Sequence, residues 1–511
     1  MSSHADAPPP MPAGPFAGGP PASALRVAAP RLAGFGWREL VRGAEIWATL
    51  VLVVARAVVV HLARHPRAVV ALRGDKDART ALADAASTGL VEAFMALGPT
   101  FVKLGQLIAS SPGMFPTPLA DACLRTLSDV PPFPADQVLA IVEDDLGAPA
   151  DRVFATFDPR PLSAASIAQV HACVLRDGRK AVLKVQRPAI ADRMNRDLRI
   201  MYRIARVVDR TRTGHLMNVP GVVEDLHQVT NEELNFALEA HRQTAFRANI
   251  GAFGDNAWIT APEVYWDHCG PRVICMERLF GTPMDRFAEV RARGVDGELV
   301  LRRGLKVWME AALVHGPFHG DVHAGNIWVL DDGRAAYLDF GIMGELPTEH
   351  RDAVRAAQYT VMIDGDYTRI VRSWQAIGIL SEDVGPVEEV AERLKFVLDP
   401  MFDMTLGETS LAEMLRQQVE LQQEYGARAV RELVLVSKQL MYFERYAKEL
   451  APDYNMARDL FLIRNVFPEA VAATAAERGI TMPDDSQPNI VAPGATSASE
   501  LESDRDPDVV G

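Results

Sequence analysis

The residues best able to do chemistry lie in His319-Gly320-Asp321-Val322-His323-Ala324-Gly325-Asn326 and in Asp339-Phe340-Gly341 downstream. Phosphoryl transfer on a kinase-like scaffold places an aspartate at the acceptor hydroxyl and an asparagine five residues on at a metal ion. A DFG aspartate then holds metal against the phosphates. Asp321 and Asn326 have that spacing, and Asp339 opens the DFG tripeptide. The alternative is a polar hairpin whose acids share no task. Between the two motifs, an apolar run over 327–330, Asp331-Asp332-Gly333 and a second run over 335–338 predict strand, tight turn and strand. Such a hairpin delivers Asp321, Asn326 and Asp339 to one end.

Upstream elements must supply the phosphate grip. Residues 161–166 read as a loop of small residues, 167–175 as a strand, Asp177-Gly178 as a turn and 181–186 as a return strand bearing Lys184. That is the order of a kinase nucleotide-binding lobe. A loop of Ser163, Ala164, Ala165 and Ser166 lets backbone N–H groups approach phosphates, and Lys184 pairs with phosphate oxygens. The loop has no glycine, so a plain hairpin with an exposed lysine is the competing reading. Residues 221–250 have a helical pattern, and both Glu233 and Glu239 are candidates for the acid that holds Lys184, or for surface acids. Residues 273–279 read as an apolar strand leading through Gly281-Thr282-Pro283 to a hinge, with Met276 and Glu277 assigned to the nucleotide. Residues 80–111 are helical in pattern. Lys103 and Gln106 share one face there at i,i+3, which by itself is the pattern of a solvated face.

The 511 residues predict two or three units, and 48% apolar with 23% charged residues describes a globular protein with a sizeable core. A net charge of −14 argues against a general nucleic-acid binder. The charge is uneven: residues 36–80 carry a net +4 and residues 483–511 a net −6. Cys123, Cys173, Cys269 and Cys275 form no CxxC pair and read as buried or free thiols in a reducing compartment. No secretory signal pattern is evident. The apolar run 46–63, broken by Arg56 and His61, reaches about the 18–20 residues of a bilayer span. Its flanking Arg38, Arg42, Arg64 and Arg67 suit an interfacial helix on anionic lipid, and packing on protein fits equally well. Helical patterns follow Gly341 over 350–363, 367–377, 387–398, 411–425 and 427–448.

The expected organisation is a disordered Pro/Ala/Gly-rich 1–35, an apolar and basic helix in 36–80 and a helical extension in 81–150. A nucleotide-binding lobe in 151–280, a catalytic lobe in 281–470 and an acidic disordered tail in 471–511 complete it. The fold class is α+β: a bilobal protein-kinase-like fold with an N-terminal helical extension and a largely helical C-terminal lobe.

Assembled, these motifs resemble the UbiB-type atypical kinases, also called aarF-domain-containing or ADCK kinases, over roughly residues 90–345. Lys103, Gly105 and Gln106 match the KxGQ motif, and residues 163–171 resemble the alanine-rich loop. Lys184 stands at the strand lysine, Glu233-Leu234-Asn235 at the ExD motif and Glu239 at the helix glutamate of the ion pair. The resemblance implies ATP with Mg2+ or Mn2+ held by Asn326 and Asp339, and a helical extension over the active-site cleft. It further implies work at a membrane in quinone or other isoprenoid-lipid metabolism. Implied partners are a membrane lipid or isoprenoid-quinone precursor and a lipid-biosynthesis complex, with a homodimer as an option and a cytoplasmic, membrane-peripheral location.

The sequence departs from the family pattern in four places. Ser163 replaces the first alanine of the loop, and Asn235 replaces the last acid of ExD. Gly320, Val322 and Ala324 stand where the family often has Ala, Pro and Pro, and the C-terminal tail has no apolar run of spanning length. The interval from Gly341 to Pro347 has no Ala-Pro-Glu element, which ranks ATPase or small-acceptor phosphorylation above protein kinase. Two other readings are a soluble phosphotransferase of the aminoglycoside or choline kinase type and a nucleotide-gated scaffold without turnover.

Overall fold

Strand alternation builds the sheet that carries Lys184. In the computed structural model, β1 (Thr156–Ala164), β2 (Ala168–Val174), β3 (Lys180–Gln186) and β5 (Val273–Glu277) pair antiparallel in that order. Ala181, Leu183 and Val185 are fully buried in an apolar core. Successive strand residues face opposite ways, so Lys184 is delivered to the other face. Residues 161–166 are not simply a loop, because Pro161–Ala164 complete β1. Pro161 sits where the register with β2 shifts, a bulged edge position that tolerates its missing N–H.

The structure describes residues 13–27, 32, 34, 36–65, 76–109, 117–124, 132–211, 219–402 and 431–490. It divides into two units, Met1–His241 with Val264–Arg278, and Arg242–Glu263 with Leu279–Gly511. Among the described residues, the longer helices of the first unit are α1 (Trp37–Arg64), α2 (Lys76–Leu97), α3 (Pro99–Ala109), α4 (Thr117–Leu124), α5 (Ala135–Leu146), α6 (Ile190–Val208) and α7 (Val219–Glu233). The unit boundary falls within α8 (Phe236–Ile250).

Two helices predicted as continuous are broken. Gly98, at φ +103°, separates α2 from α3 in a conformation that favours glycine, and Pro99 starts the next helix. Asn235 separates α7 from α8. Its side-chain Oδ1 accepts from Leu238 N at 3.0 Å, an N-cap bond that starts α8.

Helix α1 has two unlike faces. Ile46 packs in a core with Phe94, Leu97, Phe101 and Leu198. Trp37, Leu40, Trp47, Leu52 and Val59 lie exposed. The inner face is pinned by charge. Arg42 Nε donates to Asp197 Oδ1 at 2.8 Å, and Arg42 Nη2 donates to the carbonyl of Leu97 at 2.8 Å. Thr100 Oγ1 donates to Asp197 Oδ2 at 3.0 Å. One buried carboxylate thus joins α1, α3 and α6.

Residues 13–27 are ordered against the first unit, contrary to the expectation for 1–35, of which the other described residues are 32 and 34. Phe16 is buried in the sheet's core. Gly14 N donates to the carbonyl of Asp267 at 2.8 Å, and a Cβ on Gly14 would meet that oxygen at 2.9 Å. Residues 471–490 also pack, contrary to the expected disorder. Helix α15 (Pro468–Arg478) occupies part of them, and Asn489, fully buried, donates to the carbonyl of Gly333 at 2.9 Å. Residues 491–511, the helix expected over 411–425 and the start of the one expected from 427 lie outside the described residues.

The second unit is built on β4 (Ile259–Thr260), β6 (Gly281–Pro283), β8 (Ile327–Leu330) and β9 (Ala335–Tyr337), in the order β4-β9-β8-β6. A separate pair joins β7 (Pro317–His319) to β10 (Met343–Glu345). The unit also contains helices α9 (Phe287–Ala292), α10 (Gly297–Glu310), α11 (Thr348–Tyr359), α12 (Tyr367–Ala376), α13 (Val387–Phe402) and α14 (Arg431–Leu450). The core includes Trp308, Phe318, Tyr337, Phe340 and Tyr446, so the DFG phenylalanine is an interior residue. Helix α10 ends in a π turn, Ala311–His315, of the kind common at functional sites, immediately before β7.

Removing one partner of a buried ion pair strands the other charge. Asp197→Ala should therefore destabilise the first unit by about 3 kcal/mol, read as a lower urea midpoint for a probe in that unit.

Candidate active site

In the first unit the break at Asn235 sorts two glutamates to two lysines. Glu239 lies in the first turn of α8 and meets Lys184 Nζ at 2.5 Å, with both side chains buried. Glu233 ends α7 and pairs with Lys103 of α3, again buried. Lys103 is thus not on a solvated face. Gln106 is half-buried on the same helix, and Gly105 is buried on the face of Phe101 and Ile108. Ser163 and Ala164 end β1, and Ala165 and Ser166 form the turn to β2, closed by Ala165 N donating to the carbonyl of Ala168 at 2.8 Å. Met276 and Glu277 end β5 and pair with Val182 and Ala181 of β3.

Asn235 is tied to the N-terminal segment. Its Nδ2 donates to the carbonyl of Ala24 at 2.8 Å while its Oδ1 caps α8. A carboxylate could supply the cap but not the donor. The amide at 235 is therefore the group that satisfies both contacts.

In the second unit, His319 staples the reactive loop. It is fully buried, and burial pushes its imidazole below the ordinary histidine value. The neutral ring fits its partners: Nε2 donates to the carbonyl of Leu338 at 2.9 Å, and Nδ1 accepts from Asp321 N at 3.2 Å. Asn326 Nδ2 donates to the carbonyl of Asp321 at 3.0 Å, and Leu338 N donates to the carbonyl of Asn326 at 2.8 Å. Asp321, Asn326 and the strand leading to Asp339 are therefore linked by hydrogen bonds. Asp339 itself stands at φ +56°, a left-handed conformation that a non-glycine residue adopts at a cost. Its Oδ1 accepts from Gly341 N at 3.2 Å.

The donor set suits a hard cation that shares its shell with phosphate. Asn326 has spent its amide nitrogen on Asp321, so its amide oxygen would be the atom to meet such a cation, with a carboxylate oxygen of Asp339. Mg2+ binds in this way, through one or two protein oxygens plus phosphates, rather than in an all-protein cage. Among the described residues no group of three His, Cys, Asp or Glu side chains forms such a cage.

Three residues that sequence reasoning missed come from α14. Gln439 is fully buried; its Nε2 donates to the carbonyl of Gly320 at 2.8 Å and its Oε1 accepts from Val322 N at 2.9 Å. Tyr446 Oη donates to the carbonyl of Val322 at 2.7 Å. Lys438 Nζ lies 3.8 Å from Asp321 Oδ1, while His323 Nε2 lies 3.5 Å from Asp321 Oδ2. The available signal was a glutamine at the i+4 position from Leu435 in an apolar helical stripe that continues to Tyr446.

The model of the ABC1 atypical kinase-like domain matches residues 125–374, and that of the UbiB helical domain matches residues 394–455. The chain belongs to the ABC1/UbiB atypical kinase family. Among its relatives, an uncharacterized protein of Mycobacterium tuberculosis (strain ATCC 25618 / H37Rv) is 38% identical over 72% of this chain and 76% of that protein. An uncharacterized chloroplastic aarF domain-containing protein kinase of Arabidopsis thaliana is 31% identical over 72% of each chain. The probable protein kinase UbiB of Azotobacter vinelandii is 30% identical over 70% of this chain and 67% of that one. A Mycobacterium tuberculosis protein solved in complex with erythromycin covers 69% of this chain and 92% of its own, at 23% identity and a TM-score of 0.43. The family assignment makes the fold kinase-like, and the helical-domain match includes α14 with Lys438 and Gln439.

Asn235→Asp should loosen the N-terminal segment, seen as faster amide hydrogen exchange over residues 13–27 with exchange in β2 and β3 unchanged. Burial also holds His315 below the ordinary histidine value. In the unfolded chain these histidines take up protons near pH 6.5; in the folded chain they resist protonation. The stability of the second unit is thus complete above about pH 6.5 and is lost as pH falls toward the folded-state values. His319→Gln, which keeps a donor and an acceptor, should show a smaller drop in urea midpoint between pH 7.5 and 5.5 than the wild type.

Proposed function

We propose that the protein is an ATP-dependent phosphotransferase or ATPase of the UbiB type, using Mg2+ or Mn2+ and acting at a membrane on a lipid or isoprenoid-quinone precursor. The observation that carries this reading is the buried Lys184–Glu239 pair. A lysine kept charged and oriented by a helix glutamate is the device that kinases use to grip nucleotide phosphates. Backbone N–H groups around Ser163, Ala164, Ala165 and Ser166 add to that grip, and Met276 and Glu277 border the nucleotide. Asp321 orients the acceptor, a water or a hydroxyl, and accepts its proton. Asn326 and Asp339 hold the metal ion, which when bound neutralises charge on the phosphates. Lys103, with Gly105 and Gln106 beside it, is a regulatory contact engaged by Glu233.

The segment after the DFG supports a small acceptor over a peptide. Met343–Glu345 pairs at once with Pro317–His319 as β10, and α11 follows at Thr348. That stretch is therefore occupied by a strand pair rather than free to seat a polypeptide. For the membrane, α1 is long and apolar enough to cross a bilayer by length and composition. Its Arg42, however, is held by Asp197 on the inner face while tryptophans and aliphatic residues are exposed on the other. That combination favours a helix lying in the interface over one that leaves the unit to span.

The test is ATP hydrolysis by the full chain with vesicles of anionic phospholipid, comparing wild type with Asp339→Asn. Turnover should fall by about 100-fold or more when the metal carboxylate is neutralised. Equal turnover in the two proteins sinks the assignment.

A further inference from the structure

The reactive loop from Asp321 to Asn326 contains no lysine or arginine. Charge that develops on a transferring phosphoryl group is stabilised by cationic side chains as well as by metal. In the reading above, Lys184 grips the nucleotide phosphates and leaves the phosphoryl group at Asp321 without a protein cation. Among the described residues, Lys438 is the one Lys or Arg within ion-pair distance of Asp321.

We infer that Lys438 of α14 is the residue that binds the γ-phosphoryl group of ATP at Asp321. The inference rests on the proposed function. Three observations carry it. First, the position of Lys438 is set by its neighbour: Gln439 is fully buried and holds the backbone on both sides of Asp321 through two hydrogen bonds. Tyr446, two turns further along α14, adds a third bond to the same loop. The helix and the loop therefore form one rigid piece, and the ammonium group starts from a fixed base. Second, the ammonium group is reachable. The Lys438 side chain is 34% exposed and that of Asp321 22% exposed, and the lysine tip lies over the Tyr442 ring at 6.0 Å. Third, at 3.8 Å the pair with Asp321 is loose. A partly exposed pair of this kind adds little stability, so fold stability is a poor reason for its presence.

In the transfer step the acceptor oxygen attacks the γ-phosphorus and its proton passes to Asp321. The bond from the γ-phosphorus to the β,γ-bridging oxygen breaks, and ADP leaves with that electron pair. Lys438 remains an ammonium throughout and turns from the Asp321 carboxylate to the phosphoryl oxygens. Its hydrogen bond to a charged oxygen then depends on the γ-phosphoryl group and on no other part of the nucleotide.

The experiment is calorimetric binding of Mg·ATP and Mg·ADP to the full chain as wild type, Lys438→Met, Lys438→Arg and Asp339→Asn, with melting curves to establish folding. Lys438→Met should weaken ATP by about ten-fold, the size of one charge-assisted hydrogen bond, and leave ADP within two-fold. Lys438→Arg should restore most of the ATP preference. If Lys438→Met lowers ATP and ADP affinity alike, or neither, the Lys438 assignment is wrong even where Asp339→Asn abolishes metal-dependent binding. If the wild type binds no nucleotide, or Asp339→Asn binds Mg·ATP as the wild type does, the metal-nucleotide reading fails and takes Lys438 with it.

Discussion

A buried ammonium group is costly unless it is paired and hydrogen-bonded, and the first unit pairs two buried lysines with glutamates six residues apart. Glu233 and Glu239 would point to different sides of a single straight helix. The break at Asn235 lets each meet its own lysine, one from α3 and one from β3. Strand β3 and helix α3 are therefore both tied to the two sides of one helix break, and the residue that makes the break is also the cap of α8. Losing either carboxylate would remove the counter-ion of a buried lysine, a larger cost than that of breaking an exposed pair.

The second unit works through neutral hydrogen bonds. The loop around Asp321 is held by an uncharged imidazole, an amide and a phenol: His319, Gln439 and Tyr446. None of these adds a formal charge, and the charged or titratable side chains within ion-pair distance of Asp321 among the described residues are Lys438 and His323. Fixing the backbone with neutral groups holds the carboxylate in place without setting a further formal charge against it, which suits preorganisation.

The parts of this site that depend on short-range pattern were legible in the sequence. The β8–β9 hairpin follows from two apolar runs around Asp331-Asp332-Gly333, β2–β3 from Asp177-Gly178, and the five-residue step from Asp321 to Asn326 is a property of the chain itself. What stayed hidden depends on partners far away in sequence. Gln439 reaches back 119 residues to Gly320, and Asn235 reaches 211 residues to Ala24. Periodicity marks both as polar residues near apolar ones and cannot say which backbone group they satisfy. Composition misled at both ends of the chain. Proline, glycine and alanine in 13–27 predict disorder, yet Gly14 permits close backbone approach and Phe16 supplies a buried anchor.

That N-terminal segment also bears on how a family motif is read. An acid-to-amide change in the ExD motif looks like lost metal chemistry if only the motif is compared. Here the amide does two things an acid could not do together: it accepts from Leu238 N and donates to the Ala24 carbonyl. A carboxylate at 235 would face that carbonyl oxygen with no proton between them, and the segment would lose its seat. The amide at 235 is thus tied to residues 13–27 through the Ala24 carbonyl. Glu233, two residues before Asn235, keeps its buried contact with Lys103.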